Sequence, residues 1–184
     1  LIEGEEMSHH DVADELSVPG FRALMAGFPS GVVVVSTVDE AGEPLGLTVS
    51  SLCSVSLAPP LLLVCITNHS RTLSALRSRG HFAVNMLHQH GREAAQTFAT
   101  DVPDRFRSVP WAPSEREKLP LLIDDAHSVA ECAVRSAEVA GDHTIVVGEV
   151  RSFERLRAEA PLLYGLREYA AWPSADRVDA GRES

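Results

Sequence analysis

This 184-residue sequence predicts a mainly β fold, an antiparallel barrel, closed or split, with a few helices packed on it. Three observations carry that reading. Stretches of β-branched or alternating residues outnumber the helical ones. Short turn signals, Asp39-Glu40-Ala41-Gly42-Glu43 and Gly141-Asp142, join several of them as hairpins, the connection of an antiparallel sheet. Neither Gly-x-Gly-x-x-Gly nor a P-loop occurs, which removes the usual nucleotide sites of parallel sheets.

The elements follow in order. Phe21, Leu24, Met25 and Phe28 fall at helical spacing, and Pro29-Ser30-Gly31 ends that helix. Residues 32–38 (Val-Val-Val-Val-Ser-Thr-Val) form a continuous, mostly β-branched run, a strand buried on both faces, and the loop 39–43 turns it into a second strand at 45–51. Ala58-Pro59-Pro60 breaks the chain before a third strand at 61–67. A helix over 71–79 follows, with Gly80 where a C-cap belongs. Residues 81–87 read as a fourth strand and 90–99 as a helix, while 100–120, with four prolines, form a long irregular excursion of the kind often laid over an active site. A second hairpin has arms at 128–137 and 144–153, and a last short strand begins at Pro161.

Residues 16–172 make one domain between a flexible acidic tail at 1–15 and a flexible polar tail at 173–184. A net charge of −10 repels nucleic acid and anionic membrane, so neither is expected as a partner. Cys53, Cys65 and Cys132 are odd in number and widely spaced, the pattern of reduced, buried thiols in a cytoplasmic protein. No apolar run is long enough to cross a bilayer, and the start of the chain lacks the plan of a signal peptide.

The residues with chemical content form a few groups. Ser70-Arg71-Thr72 supplies two hydroxyls and a guanidinium where a strand passes into a helix, which is either an anion site or a plain N-cap. Residues 46–56 are dense in small hydroxyl side chains that suit the edge of a flat heterocycle, or equally a half-buried alternating strand. His143 follows the Gly141-Asp142 turn, as a site residue or a solvated one. His88-Gln89-His90 lacks a nearby carboxylate or cysteine cluster in sequence, so no metal is expected, and no activated serine or cysteine nucleophile is visible.

In this order, 46–60 (Gly-x-Thr-Val-Ser-Ser-x-Cys-Ser-Val-Ser-Leu-x-Pro-Pro), Leu-Leu-Val-Cys-Ile at 62–66, Ser-Arg-Thr-Leu at 70–73, Phe-Ala-Val-Asn at 82–85, Glu131-Cys132 and Gly-Asp-His-Thr at 141–144 resemble the short-chain flavin reductases of two-component monooxygenases. The match runs over roughly residues 20–170. The resemblance implies a split antiparallel β-barrel of the flavin reductase or FMN-binding type, a homodimer that reduces free flavin with NAD(P)H and delivers it to a separate monooxygenase. It implies that Thr48, Val49, Ser50 and Ser51 line the isoalloxazine and ribityl chain, that Cys65 and Ile66 lie along the ring, and that Ser70, Arg71 and Thr72 hold the phosphate. Phe82 and Asn85 would form pocket wall, and His143 would meet the nicotinamide with Tyr164 or Tyr169 beside it. The chain departs from the aromatic-Arg-Gly-Arg-Tyr pattern of relatives, reading Tyr164-Gly165-Leu166-Arg167-Glu168-Tyr169. FAD is the expected flavin, with FMN as alternative. NADH is preferred over NADPH because no arginine pair for a ribose phosphate is visible. The rival expectations are a non-catalytic flavin carrier and a pyridoxamine-phosphate-oxidase-like enzyme on a similar barrel.

Overall fold

The computed structural model describes residues 17–100, 102 and 104–173. The tails expected at 1–15 and 173–184 lie outside these residues, apart from Pro173. A seven-stranded antiparallel sheet organises the rest, in the order β3 (Pro44–Val49), β2 (Val33–Val38), β6 (His81–Leu87), β9 (Ala126–Ala140), β10 (His143–Arg155), β5 (Pro60–Thr67), β4 (Cys53–Leu57). A three-stranded sheet joins β1 (Ser30–Gly31), β11 (Leu162–Gly165) and β12 (Glu168–Ala171), and β7 (Ala112–Pro113) pairs with β8 (Pro120–Leu121). Among the described residues three α-helices, α1 (Val18–Ala26), α2 (Arg71–Arg79) and α3 (Arg92–Ala99), and a short 3-10 helix at Arg105–Arg107 accompany the sheets.

The valine run of β2 explains why the sheet has an apolar core on each side. Successive side chains of a strand point to opposite faces. Val33 and Val35 therefore enter an inner core with Val64, Ile66, Phe82, Val84 and Val146, which Leu73 and Leu76 of α2 extend. Val32 and Val34 enter an outer core with Leu87, Phe98, Phe106 and Leu162, under α3 and the excursion. Inside the first core Gly148 is obligatory, since a Cβ there would lie 2.5 Å from Cζ of Phe82.

The barrel is split. β3 and β4 are the two outer strands of the large sheet, and the chain crosses between them at Ser50–Leu52 without ladder pairing. One side chain clasps the seam: Ser51 Oγ accepts from the backbone N–H of Cys65 at 2.9 Å and donates to its carbonyl at 3.2 Å. Ser51 thus continues, through its hydroxyl, the register in which Cys53 faces Leu63.

β4 is an additional strand that the sequence reading does not separate from the hydroxyl-rich stretch. It is an outer strand with Cys53, Val55 and Leu57 exposed, so it shows no burial alternation to find. β9 and β10 run longer than predicted and carry two β-bulges. Arg135 is the extra residue on β9 and Arg151 the extra residue on β10, and both guanidiniums reach the buried carboxylate of Glu149 between them, Arg151 at 2.9 Å. Among the described residues no helix is long and apolar enough to cross a membrane.

Candidate functional site

A groove of about 240 Å³ opens at the seam of the barrel. Leu47 to Ser51 form one side, Cys65 and Thr67 the other, and His143 closes one end. The structure therefore brings together Thr48, Val49, Ser50, Ser51, Cys65 and His143, which are remote in sequence. Their hydroxyls are not equivalent. Thr48 donates to the carbonyl of Ala95 at 2.7 Å and ties β3 to α3, and Ser51 is spent on the clasp. Ser50 is exposed and makes no such bond, which leaves it as the hydroxyl of this stretch open to a ligand.

His143 opens β10 directly after the turn, in register with Thr67 on one side and Ala140 on the other. Gly141 has φ +63°, the left-handed conformation that a two-residue hairpin turn requires and that glycine adopts without strain. The ring Nδ1 lies 2.7 Å from Asp142 Oδ1. That hydrogen bond, then the histidine's charge, holds the Asp142 carboxyl below the usual carboxylate range, and Arg22 of α1 acts in the same direction. With Nδ1 engaged by Asp142, Nε2 is the ring nitrogen left for a ligand.

Beyond Thr67 the chain turns into the N-terminus of α2, where Ser70 N–H bonds the Thr67 carbonyl at 3.0 Å. Ser70 occupies the N-cap position, but its side chain does not cap the helix. The plain N-cap alternative thus loses its main support, because the hydroxyl remains available. Arg71 is exposed and has no ion-pair partner among the described residues. Thr72, in contrast, is buried, at 4% exposure. The donors suited to an anion here are Ser70, Arg71 and the first-turn amides.

A larger cleft of about 380 Å³ lies away from the hairpin tip, lined by His81, Arg116, Glu131 and Arg151 among others. Of its two carboxylates, Glu131 accepts from Ser114 Oγ at 2.6 Å and Ser152 Oγ at 3.0 Å, and Glu117 lies 3.7 Å from His81 and 3.9 Å from Arg79. Burial, and then Glu131, pushes the neighbouring Cys132 thiol up to about 12, which makes it inert at neutral pH. The volume is greater than that of the groove, but Glu131 is engaged in holding the excursion to β9 and β10 through Ser114 and Ser152.

Residues 25–173 match the family model described as the flavin reductase like domain. The chain belongs to this flavin reductase family. A flavin reductase (NADPH) of Lentzea aerocolonigenes is 52% identical over 151 residues, covering 82% of this chain and 88% of the relative. A flavin reductase (NADH) of Kitasatospora aureofaciens is 49% identical over 154 residues, covering 83% and 81%. The reductase subunit HsaB of a flavin-dependent monooxygenase from Rhodococcus jostii is 32% identical over 157 residues, covering 85% and 79%. Among solved structures, the NADH:FAD oxidoreductase SgcE6 of Streptomyces globisporus, in complex with NAD and FAD fragments, superposes with a TM-score of 0.82 at 33% identity, covering 88% of this chain and 96% of that one.

In this flavin reductase the remaining expected residues lie away from the groove. Ile66 is 1% exposed and points into the inner core, because on β5 it alternates with Cys65 and Thr67. Phe82 is fully buried against Gly148. Asn85 is fully buried as a latch: its Nδ2 donates to the Val34 carbonyl at 3.1 Å and to Ser36 Oγ at 3.0 Å, and its Oδ1 accepts from Leu122 N–H at 2.8 Å. Tyr164 and Tyr169 face each other across the β11–β12 pair, ring centroids 5.1 Å apart, and pack on the outer core with Arg92 over the Tyr169 ring. Neither lines the groove of its own chain. His88 and His90 share Glu159, at 3.7 and 3.5 Å, and His88 Nε2 is bound to the Asp124 carbonyl at 2.7 Å, a structural cluster at the end of β6. The sequence reading misses Leu47 and Thr67, although Thr67 is signalled by the period of two that selects Cys65.

Proposed function

We propose that this flavin reductase catalyses the NADH-dependent reduction of a dissociable flavin, FAD in the first place, and hands the reduced flavin to a separate monooxygenase. The observation that carries the reading is the groove itself. It is lined mostly by short side chains, has a histidine at one end, and beyond Thr67 leads to the N-terminus of a helix, where Arg71 has no ion-pair partner among the described residues and the Ser70 hydroxyl does not cap the helix. Short side chains admit a flat ring to the backbone, and the N-terminus of α2 suits a phosphate. When bound, the flavin supplies the redox chemistry, accepting a hydride from the nicotinamide. The protein's task is then alignment. Ser50 and the β3 backbone hold the polar edge of the ring, Ser70 and Arg71 hold the phosphate, and His143 sets the nicotinamide against the exposed face. Asp142 fixes the imidazole by its bond to Nδ1. The acceptor of the reduced flavin is read from HsaB, which is such a subunit, and the choice of NADH and FAD from SgcE6.

The same reading makes the protein a homodimer. The groove, at about 240 Å³, is below the roughly 300–1,000 Å³ of sites that enclose a ligand, so one chain furnishes only part of the wall. Val18, Phe21 and Leu24 of α1 and Phe28 just after it are each at least 60% exposed, an apolar face of the kind that a partner covers.

Purified protein mixed with NADH should oxidise it only when flavin is added, faster with FAD than FMN and faster than with NADPH. Gel filtration should strip the flavin and show twice the chain mass. Oxidation that is independent of added flavin, or stoichiometric flavin retained after filtration, would overturn the release of reduced flavin. Equal rates with NADPH would overturn the coenzyme preference.

A further inference from the structure

The fourth residue of Gly-Asp-His-Thr and an asparagine outside every matched motif make one joint. Asn68 follows β5 and precedes the N-cap of α2, and it grips the hairpin tip at three points. Its backbone N–H donates to the Asp142 carbonyl at 3.0 Å, and its Nδ2 donates to the Gly141 carbonyl at 3.0 Å. Its Oδ1 accepts from Thr144 Oγ1 at 2.8 Å. Thr144 is 1% exposed, so this hydroxyl has no water to turn to. The three gripped residues flank His143 on both sides, while the half-buried ring of His143 has Asp142 as its side-chain hydrogen-bond partner among the described residues. Backbone ladder bonds alone leave a hairpin tip free to fray and twist, and the side-chain clamp removes that freedom.

We infer that Asn68, with Thr144, is a positioning residue for hydride transfer, fixing His143 relative to the first turn of α2 so that the two ends of the ligand site keep a constant separation. This rests on the reading of His143 as the nicotinamide-aligning group. Asn68 touches no substrate and acts through the tip. Its loss should leave the phosphate end in place, because the turn into α2 is closed independently by Ser70 N–H on the Thr67 carbonyl.

The test is a mutant cycle read by stopped-flow flavin reduction at saturating NADH, with flavin titration and thermal melting of each variant. Asn68→Ala should slow reduction about 10- to 100-fold, the scale of an ångström-sized misplacement, and change flavin affinity less than about 3-fold. Thr144→Val, which keeps the shape and removes the hydroxyl, should act in the same direction, and Thr144→Ser should recover most of the lost rate. The deciding arm is the background: in His143→Ala, itself slow, adding Asn68→Ala should cost no further rate. An equal loss in both backgrounds, or a fall in flavin affinity parallel to the rate, would make Asn68 a general structural residue and overturn the inference with the His143 reading intact. A wild-type rate for His143→Ala alone would overturn both.

Discussion

Ser50 and Ser51 are neighbours of the same type with opposite duties, and replacing each by alanine separates stability from binding. Ser51→Ala removes the acceptor of the Cys65 N–H at 2.9 Å and the donor to its carbonyl at 3.2 Å. Each such bond is worth about 0.5–1.5 kcal/mol net, so the pair amounts to about 1–3 kcal/mol. The seam borders an open groove, and water takes over part of the loss, which places the expected cost at about 1–2 kcal/mol. For a chain of this size each kcal/mol moves Tm by about 2–4 °C, so the melt should fall by roughly 2–8 °C. Ser50→Ala breaks no bond in the fold and should stay within about 0.5 kcal/mol of wild type. In flavin titrations Ser50→Ala should nevertheless lose about 2- to 10-fold in affinity, the equivalent of one hydrogen bond. Urea unfolding followed by tryptophan fluorescence, with the slope compared between variants, measures the first quantity. Equal stability of the two variants would refute the clasp, and unchanged flavin affinity of Ser50→Ala would refute its place in the ligand contact.

Arg71→Ala should weaken flavin binding by about 1.5–3 kcal/mol, or about 10- to 150-fold, with an unchanged melt, and a titration equal to wild type would remove the guanidinium from the site. Native protein treated with iodoacetamide at pH 7.5 should be modified at exposed Cys53 and not at Cys132, whose thiol is pushed up to about 12; peptide mapping that finds Cys132 labelled at the same rate would contradict its burial. Arg167 holds φ +64° beside Leu166 at +51° in the β11–β12 turn, so Arg167→Gly should trade left-handed strain of about 1–2 kcal/mol against a glycine cost of about 0.5–1 kcal/mol and leave Tm level or raised, and a clear fall would show the turn unstrained. Burial first, then His88 and Arg155, lower the pKa of His127. Its stabilising contribution is therefore complete above the ordinary histidine value of about 6.5 and lost as pH falls through the folded one, so His127→Gln should flatten the decline of Tm between pH 7 and 5, and an identical decline would exclude it.

The parts of this molecule that were legible in the sequence are those where one physical signal acts alone. The valine run of β2, the turn at Gly141-Asp142 and the Gly80 cap, with φ +76°, each follow from a local rule and appear where expected. The groove was legible as a set of positions but not as a division of labour. Nothing local distinguishes the hydroxyl of Ser51, bound across the seam, from that of Ser50, facing out. Ile66, Phe82 and Asn85 were assigned to the site by the motifs that contain them. Strand alternation, the contact with Gly148 and a polar latch to the excursion settle their side chains in the core. Asn68 was invisible for the opposite reason: its partners lie more than 70 positions along the chain, and only the folded hairpin supplies them.

The bulges of β9 and β10 amount to an error-correcting device. The cheapest mistake open to a long two-stranded ribbon is to slip by one position, and every side chain then changes face. Here such a slip would carry His143 away from the groove. Arg135 and Arg151, ejected from opposite strands, meet at one carboxylate, so the ribbon has a checksum in its middle. A shifted pairing of β9 would carry Arg135 away from Glu149, at 8% exposure, and leave that carboxylate short of the counterion that the opposite strand supplies, a costly state for a buried ion pair. The histidine at the tip inherits an address that is verified well inside the sheet, where no ligand has to touch it.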